Sequence, residues 1–346
     1  MILPKQIAVE RHLINSTIRS FLTAKEYLEV ETPIVVRSPG MEPNLVPFET
    51  TVIEANLKSH SAAMITSPEY SMKKLLGQGL EKIFTITKVF RNEESLGGNH
   101  NPEFTMLEWY TQGSDYQVCM DETEEMIREV AKALAPTPLD PPSGRGEISV
   151  PILPLPKGEL EGVAVPFKRT RVRDLFLKHV QIDLDQATTD SLKQACLDHR
   201  IHFAENDTES DLFYRLFLAL IEPNLGTDPI FVYDYPIHQA ALSQLTSDGK
   251  YGQRFELYIN GLELCNGFTE LTDATEQRKR FEEEAKEREN LGKRVYPIDE
   301  NLLSLLPSLR SPTFGNALGI DRLHMVLTQR TRIQEVLLFP ADTLFN

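Results

Sequence analysis

The sequence predicts an α+β protein in which antiparallel strands pair with one another and amphipathic helices pack against them. Three observations carry this reading. Apolar residues recur at helical spacing in several segments, strict alternation recurs in others, and two pairs of alternating runs are joined by short glycine-containing turns. A chain of 346 residues with 41% hydrophobic and 25% charged positions can bury a sizeable core, as one large domain or a domain with an insertion.

Ile14, Ile18, Phe21 and Leu22 share one helical face. Leu28 and Val30 then alternate with Glu29 and Glu31 in a strand stopped by Pro33. From Lys82 to Arg91 the pattern is extended, with Ile83, Thr85, Thr87, Val89 and Arg91 on one face and Phe84, Ile86 and Phe90 on the other. "SLGGN" supplies a flexible return into a second strand, "PEFTMLEWY". Ile127, Val130, Ala131 and Leu134 mark a helix ending near Pro136. Residues 136–166 hold eight of the 22 prolines and read as an exposed insertion, since proline removes donors and restricts its predecessor. "DLFYRLFLALIEPNLG" reads as helix and "PIFVYDYP" as a buried strand. Asn260-Gly261 between two alternating runs is a hairpin signal. Asp273 with Glu276 gives a capping-box spacing, Gly292 a terminator, and the dense charge between them a solvated face. "GNALGIDRLHMVL" runs from a glycine-rich segment into a helix with Leu323, Val326 and Leu327 on one side.

The formal charge of −15 disfavours broad adhesion to nucleic acid or anionic membrane. Cys119, Cys196 and Cys265 are widely spaced without a C-x-x-C arrangement, which suits core thiols in a reducing cytoplasm. No signal pattern opens the chain, and no apolar run reaches the roughly 20 residues of a membrane helix. A cytoplasmic protein without membrane contact is expected.

In "PEFTMLEWY", Phe104, Met106, Glu108 and Tyr110 share one side while Thr105, Leu107 and Trp109 share the other. The first row suits a nucleobase stacked at one end and a cationic group held at the other; a half-buried strand with Glu108 in solvent fits equally. Arg91 and Glu93 sit on one face at the preceding strand's end, as a phosphate fork with its orienting acid or as a surface ion pair. Glu263 and Glu270 flank Asn266 and a turn at Gly267, which would bring two carboxylates together for magnesium or leave two exposed hairpin acids. "GNALGIDR" lacks Rossmann and P-loop spacing, yet Arg322 at a helix start is placed to meet an anion.

Together these segments resemble the catalytic domain of class II aminoacyl-tRNA synthetases, of the lysyl type. "VFRNEES" with "HNPEFTMLEWY" is similar to the second motif of that class, "GNALGIDRLHMVL" to the third, and the helix and strand ending at Pro33 suit the first. Two branches of the family must be separated: lysyl-tRNA synthetases and their truncated relatives, the elongation factor P beta-lysine ligases. The first helix begins at once after Met1, leaving no room for an N-terminal anticodon-binding barrel. Trp109, "HQAALSQL", "NGFTELTDATEQRKRF" and Ala317 resemble the ligases, whereas the final "LLFPAD" is closer to the synthetases.

What the resemblance implies is a single class II synthetase-like catalytic domain, an antiparallel sheet flanked by helices, dimeric through its first helix. It implies an ATP-dependent ligase that activates beta-lysine or lysine as an adenylate and passes it to a lysine of elongation factor P, with Mg2+ present. A minimal lysyl-tRNA synthetase and a catalytically silent regulator are the alternatives; the acidic charge favours a protein acceptor over tRNA. Arg91 and Arg322 would clamp the triphosphate, with Arg322 and Phe104 on the two faces of adenine. Asn92, Glu93, His100, Asn101, Leu264 and Gly319 would complete the ATP site. Ser67, Pro68, Glu69, Glu108, Tyr110, Asn266, Glu270 and Ala317 would form the amino-acid pocket. Glu263 and Glu270 would face magnesium.

Overall fold

The structure, a computed structural model, describes residues 3–135, 159–160, 163–164, 166–240 and 242–345. In chain order the elements are α1 (Pro4–Ala24), β1 (Leu28–Glu29), β2 (Val35–Val36), β3 (Glu49–Ile53), β4 (Ser59–Met64), α2 (Glu69–Gly77), β5 (Lys82–Phe90), β6 (Glu103–Gln112) and α3 (Tyr116–Leu134). There follow β7 (Glu159–Leu160), β8 (Val163–Ala164), β9 (Lys168–Arg171), α4 (Val172–His179), α5 (Thr189–Asp198), α6 (Glu209–Leu216), β10 (Ile230–Pro236), β11 (Tyr251–Ile259), β12 (Leu262–Thr269), α7 (Ala274–Asn290), α8 (Glu300–Leu305), β13 (Thr313–Gly319) and α9 (Ile320–Leu327).

Eight strands form the main sheet in the order β1-β5-β6-β13-β12-β11-β10-β9. Its centre is antiparallel throughout, with short connections joining β5 to β6 and β11 to β12, and only the outer pairs β1·β5 and β9·β10 run parallel. A smaller sheet, β2-β4-β3, stands beside it.

Alternation sends one set of side chains from each central strand to a buried face. Phe84, Leu107, Trp109, Phe255, Leu257, Phe314 and Leu318 meet Ile14, Ile18 and Leu22 of α1, Met120 and Ile127 of α3, and Leu323 and Leu327 of α9 in one apolar cluster. Trp109 is therefore core, completely buried. A second cluster packs Phe176, Phe213 and Phe217 from the α4–α6 region under Tyr235 and Tyr258. With one face closed by helices, the other face of the central strands is free to carry polar chemistry.

Several local expectations are refined. The strand expected to reach Arg91 ends at Phe90, after which Glu93 takes a left-handed φ of 61°. The helix over 211–226 is α only as far as Leu216, then widens into a π-turn at Phe217–Ile221. Asp273 caps α7 by accepting from the Thr275 and Glu276 N–H groups, and Gly292 at φ 67° follows its end. The expected insertion at 136–166 lies outside the described residues, apart from the β7·β8 pairing and Pro166. Among the described residues, no helix is long and apolar enough to cross a membrane.

Candidate active site

The free face of the central sheet is a trough. Its floor is β13, where Gly315, Ala317 and Gly319 lie on this side opposite Tyr110, Glu108 and Met106 of β6. On the other flank Phe268 and Asn266 of β12 pair with Gly315 and Ala317. A strand of small residues between two strands of large ones leaves a groove, part of a cavity of about 840 Å³.

A β-bulge decides what stands along the β12 flank. Leu257 pairs with Cys265 but Tyr258 pairs with Glu263, so Leu264 is an extra residue. Without it Glu263 would point to the core face; the bulge returns its side chain to the same side as Asn266, Phe268 and Glu270.

One end of the cavity gathers cations. The Arg91 guanidinium lies 5.2 Å from the Phe104 ring centroid, and its Nε is buried with no hydrogen-bond partner. Burial works against its charge, and the carboxylates of Glu94, Glu263 and Glu42 offset part of that cost. Arg322, early in α9, donates from Nη1 to the Glu263 carbonyl at 3.0 Å and sits 3.5 Å from Glu263 Oε2. Burial pushes the Glu94 carboxyl up, but the 2.8 Å hydrogen bond with His100 and the charges of Arg91 and Arg322 outweigh it and hold the carboxyl below its ordinary range. A buried arginine donor without a partner is costly unless an anionic ligand completes it.

The other end gathers carboxylates. Tyr110 Oη donates to Glu108 Oε2 at 2.8 Å, and both side chains are buried. Glu270 is fully buried, and Glu69 opens α2 one turn before Lys73, whose Nζ lies 2.5 Å from Glu69 Oε1 and 2.6 Å from Glu270 Oε2. Burial, with Glu69 nearby, pushes the Glu270 carboxyl up to about 8 despite Lys73; burial and Glu69 push Glu108 well above the carboxylate range. Arg254 holds the trough's flank in place, donating to Asn266 Oδ1 at 3.1 Å and to Glu256 Oε1 at 2.6 Å.

The family model for class II tRNA synthetases (D, K and N) matches residues 4–343. The chain is 35% identical over 339 residues to an elongation factor P-(R)-beta-lysine ligase of Edwardsiella ictaluri, covering 96% of this chain and 94% of the relative. It is 37% identical over 340 residues to that of Histophilus somni, covering 97% and 95%. With the ligase of Pseudoalteromonas translucida it shares 37% over 335 residues, covering 95% and 94%. The chain belongs to the elongation factor P-(R)-beta-lysine ligase family of class II synthetases.

In this class II ligase-family chain the cavity brings together Ser67, Glu69, Arg91, His100, Asn101, Phe104, Glu108, Tyr110, Glu263, Leu264, Asn266, Glu270, Ala317, Gly319 and Arg322. Other expected residues fall elsewhere. Pro68 precedes α2 as its cap and is buried away from the cavity. Asn92 and Glu93 are exposed, because the chain leaves the extended pattern after Phe90; Glu94 takes the acid's place in the wall. Asn101 reaches the cavity, but its side chain is already spent on the Glu103 carbonyl at 2.6 Å and the Ala341 N–H at 2.9 Å.

The pairing of Glu263 with Glu270 as one metal site is corrected. No bend occurs at Gly267: β12 runs unbroken from Leu262 to Thr269, so the two acids stand at opposite ends of the strand, roughly 20 Å apart at the usual rise per residue. One ion at the 2.0–2.1 Å contact distance of about that size cannot take both. The charged helix α7 is likewise more than a solvated face, since Glu276, Glu283, Glu284 and Glu287 line the cavity wall. Lys73, Glu94, Arg254 and Gly315 were not expected in the site; the Glu69–Lys73 helical spacing was the one signal that pointed to any of them.

Proposed function

We propose that this chain, as a single synthetase-like catalytic domain, uses ATP to activate (R)-beta-lysine or lysine as an aminoacyl adenylate and transfers it to a lysine side chain of elongation factor P. The supporting observation is the polarity of one cavity: an unpartnered Arg91 donor beside Arg322 at one end, and buried carboxylates in excess of cations at the other.

The polyphosphate lies at the Arg91–Arg322 end and the two ammonium groups at the Glu69–Glu108–Glu270 end, which directs the amino-acid carboxylate along the trough toward the α-phosphate. That carboxylate attacks phosphorus and pyrophosphate leaves. The acceptor amine then attacks the acyl carbon, AMP leaves with the carboxylate oxygen, and the amine's proton passes to solvent. Arg91 and Arg322 neutralise charge that develops on phosphate oxygens, and the acids hold the substrate in line. The residues present fit a magnesium ion carried in with the nucleotide: Glu263 opens into the cavity beside both arginines, and this ion needs few protein oxygens. When bound, magnesium adds charge neutralisation at the phosphates. Among the described residues, no group of three or more acid, histidine or cysteine side chains is arranged to hold a metal alone. A homodimer joined through the first helix belongs to this reading.

Pyrophosphate exchange into ATP by the purified protein should require magnesium and a diamino acid, with beta-lysine preferred. Radiolabelled amino acid should end on elongation factor P and not on tRNA. Exchange supported equally by unrelated amino acids, or label on tRNA alone, would overturn the reading.

A further inference from the structure

An ammonium is buried behind the carboxylate end of the cavity. Lys73 is 1% exposed, and its Nζ contacts Glu69 and Glu270 while standing 5.3 Å from the Phe268 ring centroid. Two of its three donor directions are thus taken by carboxylates from different elements, α2 and the end of β12, and an aromatic face closes the third. Glu108 receives its hydrogen bond from Tyr110 instead, and neither Glu270 oxygen accepts a well-aligned hydrogen bond, Oε2 having only the close ion pair with Lys73. When all three carboxylates are ionised, as two incoming ammonium groups would require, Lys73 offsets one negative charge and leaves two for the ligand to offset.

We infer that Lys73 is a positioning residue of the amino-acid pocket: it ties Glu69 to Glu270 and cancels one of the three carboxylate charges, so that a ligand completes the site by bringing two ammonium groups. This rests on the proposed diamino-acid substrate and goes beyond it by naming what sets the pocket's charge count.

The placement is difficult to account for as simple packing. Burying an ammonium is costly unless its charge is matched, and an apolar side chain would fill the same volume without that cost. The Glu69–Lys73 spacing puts both on one face of α2, so the lysine is presented to Glu270 by the same helix that presents the substrate-facing acid. Without the lysine charge, Glu69 and Glu270 face each other as like charges among buried groups, and they separate or take up a proton. In either case the ligand's ammonium groups meet acids that are displaced or neutral. The polyphosphate end, at the far end of β12, is untouched.

Lys73→Met and Lys73→Arg would be compared with wild type by pyrophosphate exchange, titrating (R)-beta-lysine and ATP separately, with thermal melts alongside. The methionine variant should raise the amino-acid KM by about tenfold or more while kcat at saturation and the ATP KM stay within roughly threefold. Arginine, which keeps the charge and can bridge two carboxylates, should recover most of the loss. Should the methionine variant fail to melt cooperatively, Lys73→Gln carries the same expectation. An unchanged amino-acid KM in the neutral variants, an equal rise in both KM values, or an arginine variant no better than methionine would overturn the inference. If wild type itself fails to exchange with diamino acids, the failure belongs to the substrate assignment and not to Lys73.

Discussion

Gly315 and Glu270 share a single space. A Cβ at position 315 would stand 2.2 Å from Glu270 Oε1 and 2.3 Å from Tyr110 Cε1, so the carboxylate and the phenol ring occupy the volume that any other residue would fill. The backbone here is ordinary extended strand; it is the close approach, not a left-handed φ, that calls for glycine. Gly315→Ala should therefore push Glu270 and Tyr110 out of register with the ligand's ammonium groups. We expect an amino-acid KM raised about tenfold or more, and a loss of about 1–3 kcal/mol in stability from overpacking. Exchange kinetics with chemical denaturation would check both; an alanine variant with wild-type KM would show that the carboxylate has other room.

Arg91 and Arg322 differ in what their loss should do to the fold. Arg91 has a buried, unpartnered Nε, whereas Arg322 is tied to the Glu263 carbonyl. Arg91→Ala removes a cost of the empty protein and should leave melting unchanged or slightly raised, while adenylate formation falls by about 10²–10³. Arg322→Ala should lose a similar factor in rate and also loosen the start of α9. Wild-type exchange in either variant would remove the phosphate clamp.

How far the site could be read from sequence depended on whether alternation stayed regular. Along β6 it did, and Phe104, Met106, Glu108 and Tyr110 share the free face as their spacing requires. Along β12 it did not: Gly267 reads as a turn but is an ordinary strand residue, and the bulge at Leu264 leaves no mark that a count of residues reveals, so Glu263 and Glu270 looked like neighbours across a bend when they mark two ends of a strand. The loop after Phe90 misled for a related reason, since one left-handed residue at Glu93 exchanged which acid faces inward. Gly315 opens the glycine-rich segment, but nothing local says what a side chain there would strike, because its neighbours Glu270 and Tyr110 are far away in sequence and close only through strand pairing.

The first and last motifs are joined by a buried ionic cluster. Glu10 of α1 accepts from Arg330 Nη2 at 2.9 Å and is hydrogen-bonded to His324 Nε2 of α9 at 2.8 Å, with Glu10 4% and His324 0% exposed. Burial pushes the Glu10 carboxyl up, but His324, Arg330 and Gln6 outweigh it and hold its pKa low, so the charge is native to the fold. Glu10→Ala leaves a buried arginine uncompensated and should cost about 3–5 kcal/mol in chemical denaturation. Because the cluster lies on the helical side of the sheet, the amino-acid KM of folded variant should change little. A variant as stable as wild type would show that the cluster is not a structural tie.

The carboxylate pocket should make substrate binding depend on pH with a definite sign. Glu270 is raised to about 8 and Glu108 well above its ordinary value, both chiefly by burial. The groups facing them are Glu69 and Lys73 from α2 and Tyr110 from β6, while β13 contributes no titratable side chain here. In the empty protein these acids keep protons that the unfolded chain releases above about 4.5, so the stability they contribute is full below that value and is lost as pH rises through 8. A ligand with two ammonium groups needs them ionised and must expel their protons at low pH. Its KM should therefore fall from pH 6 towards 8, by up to about tenfold per unit for each proton released, and the rise in melting temperature on adding ligand should grow over the same window. Glu270→Gln should weaken binding and flatten the slope. A KM that is constant or rising between pH 6 and 8 would mean that the acids are already ionised in the empty pocket.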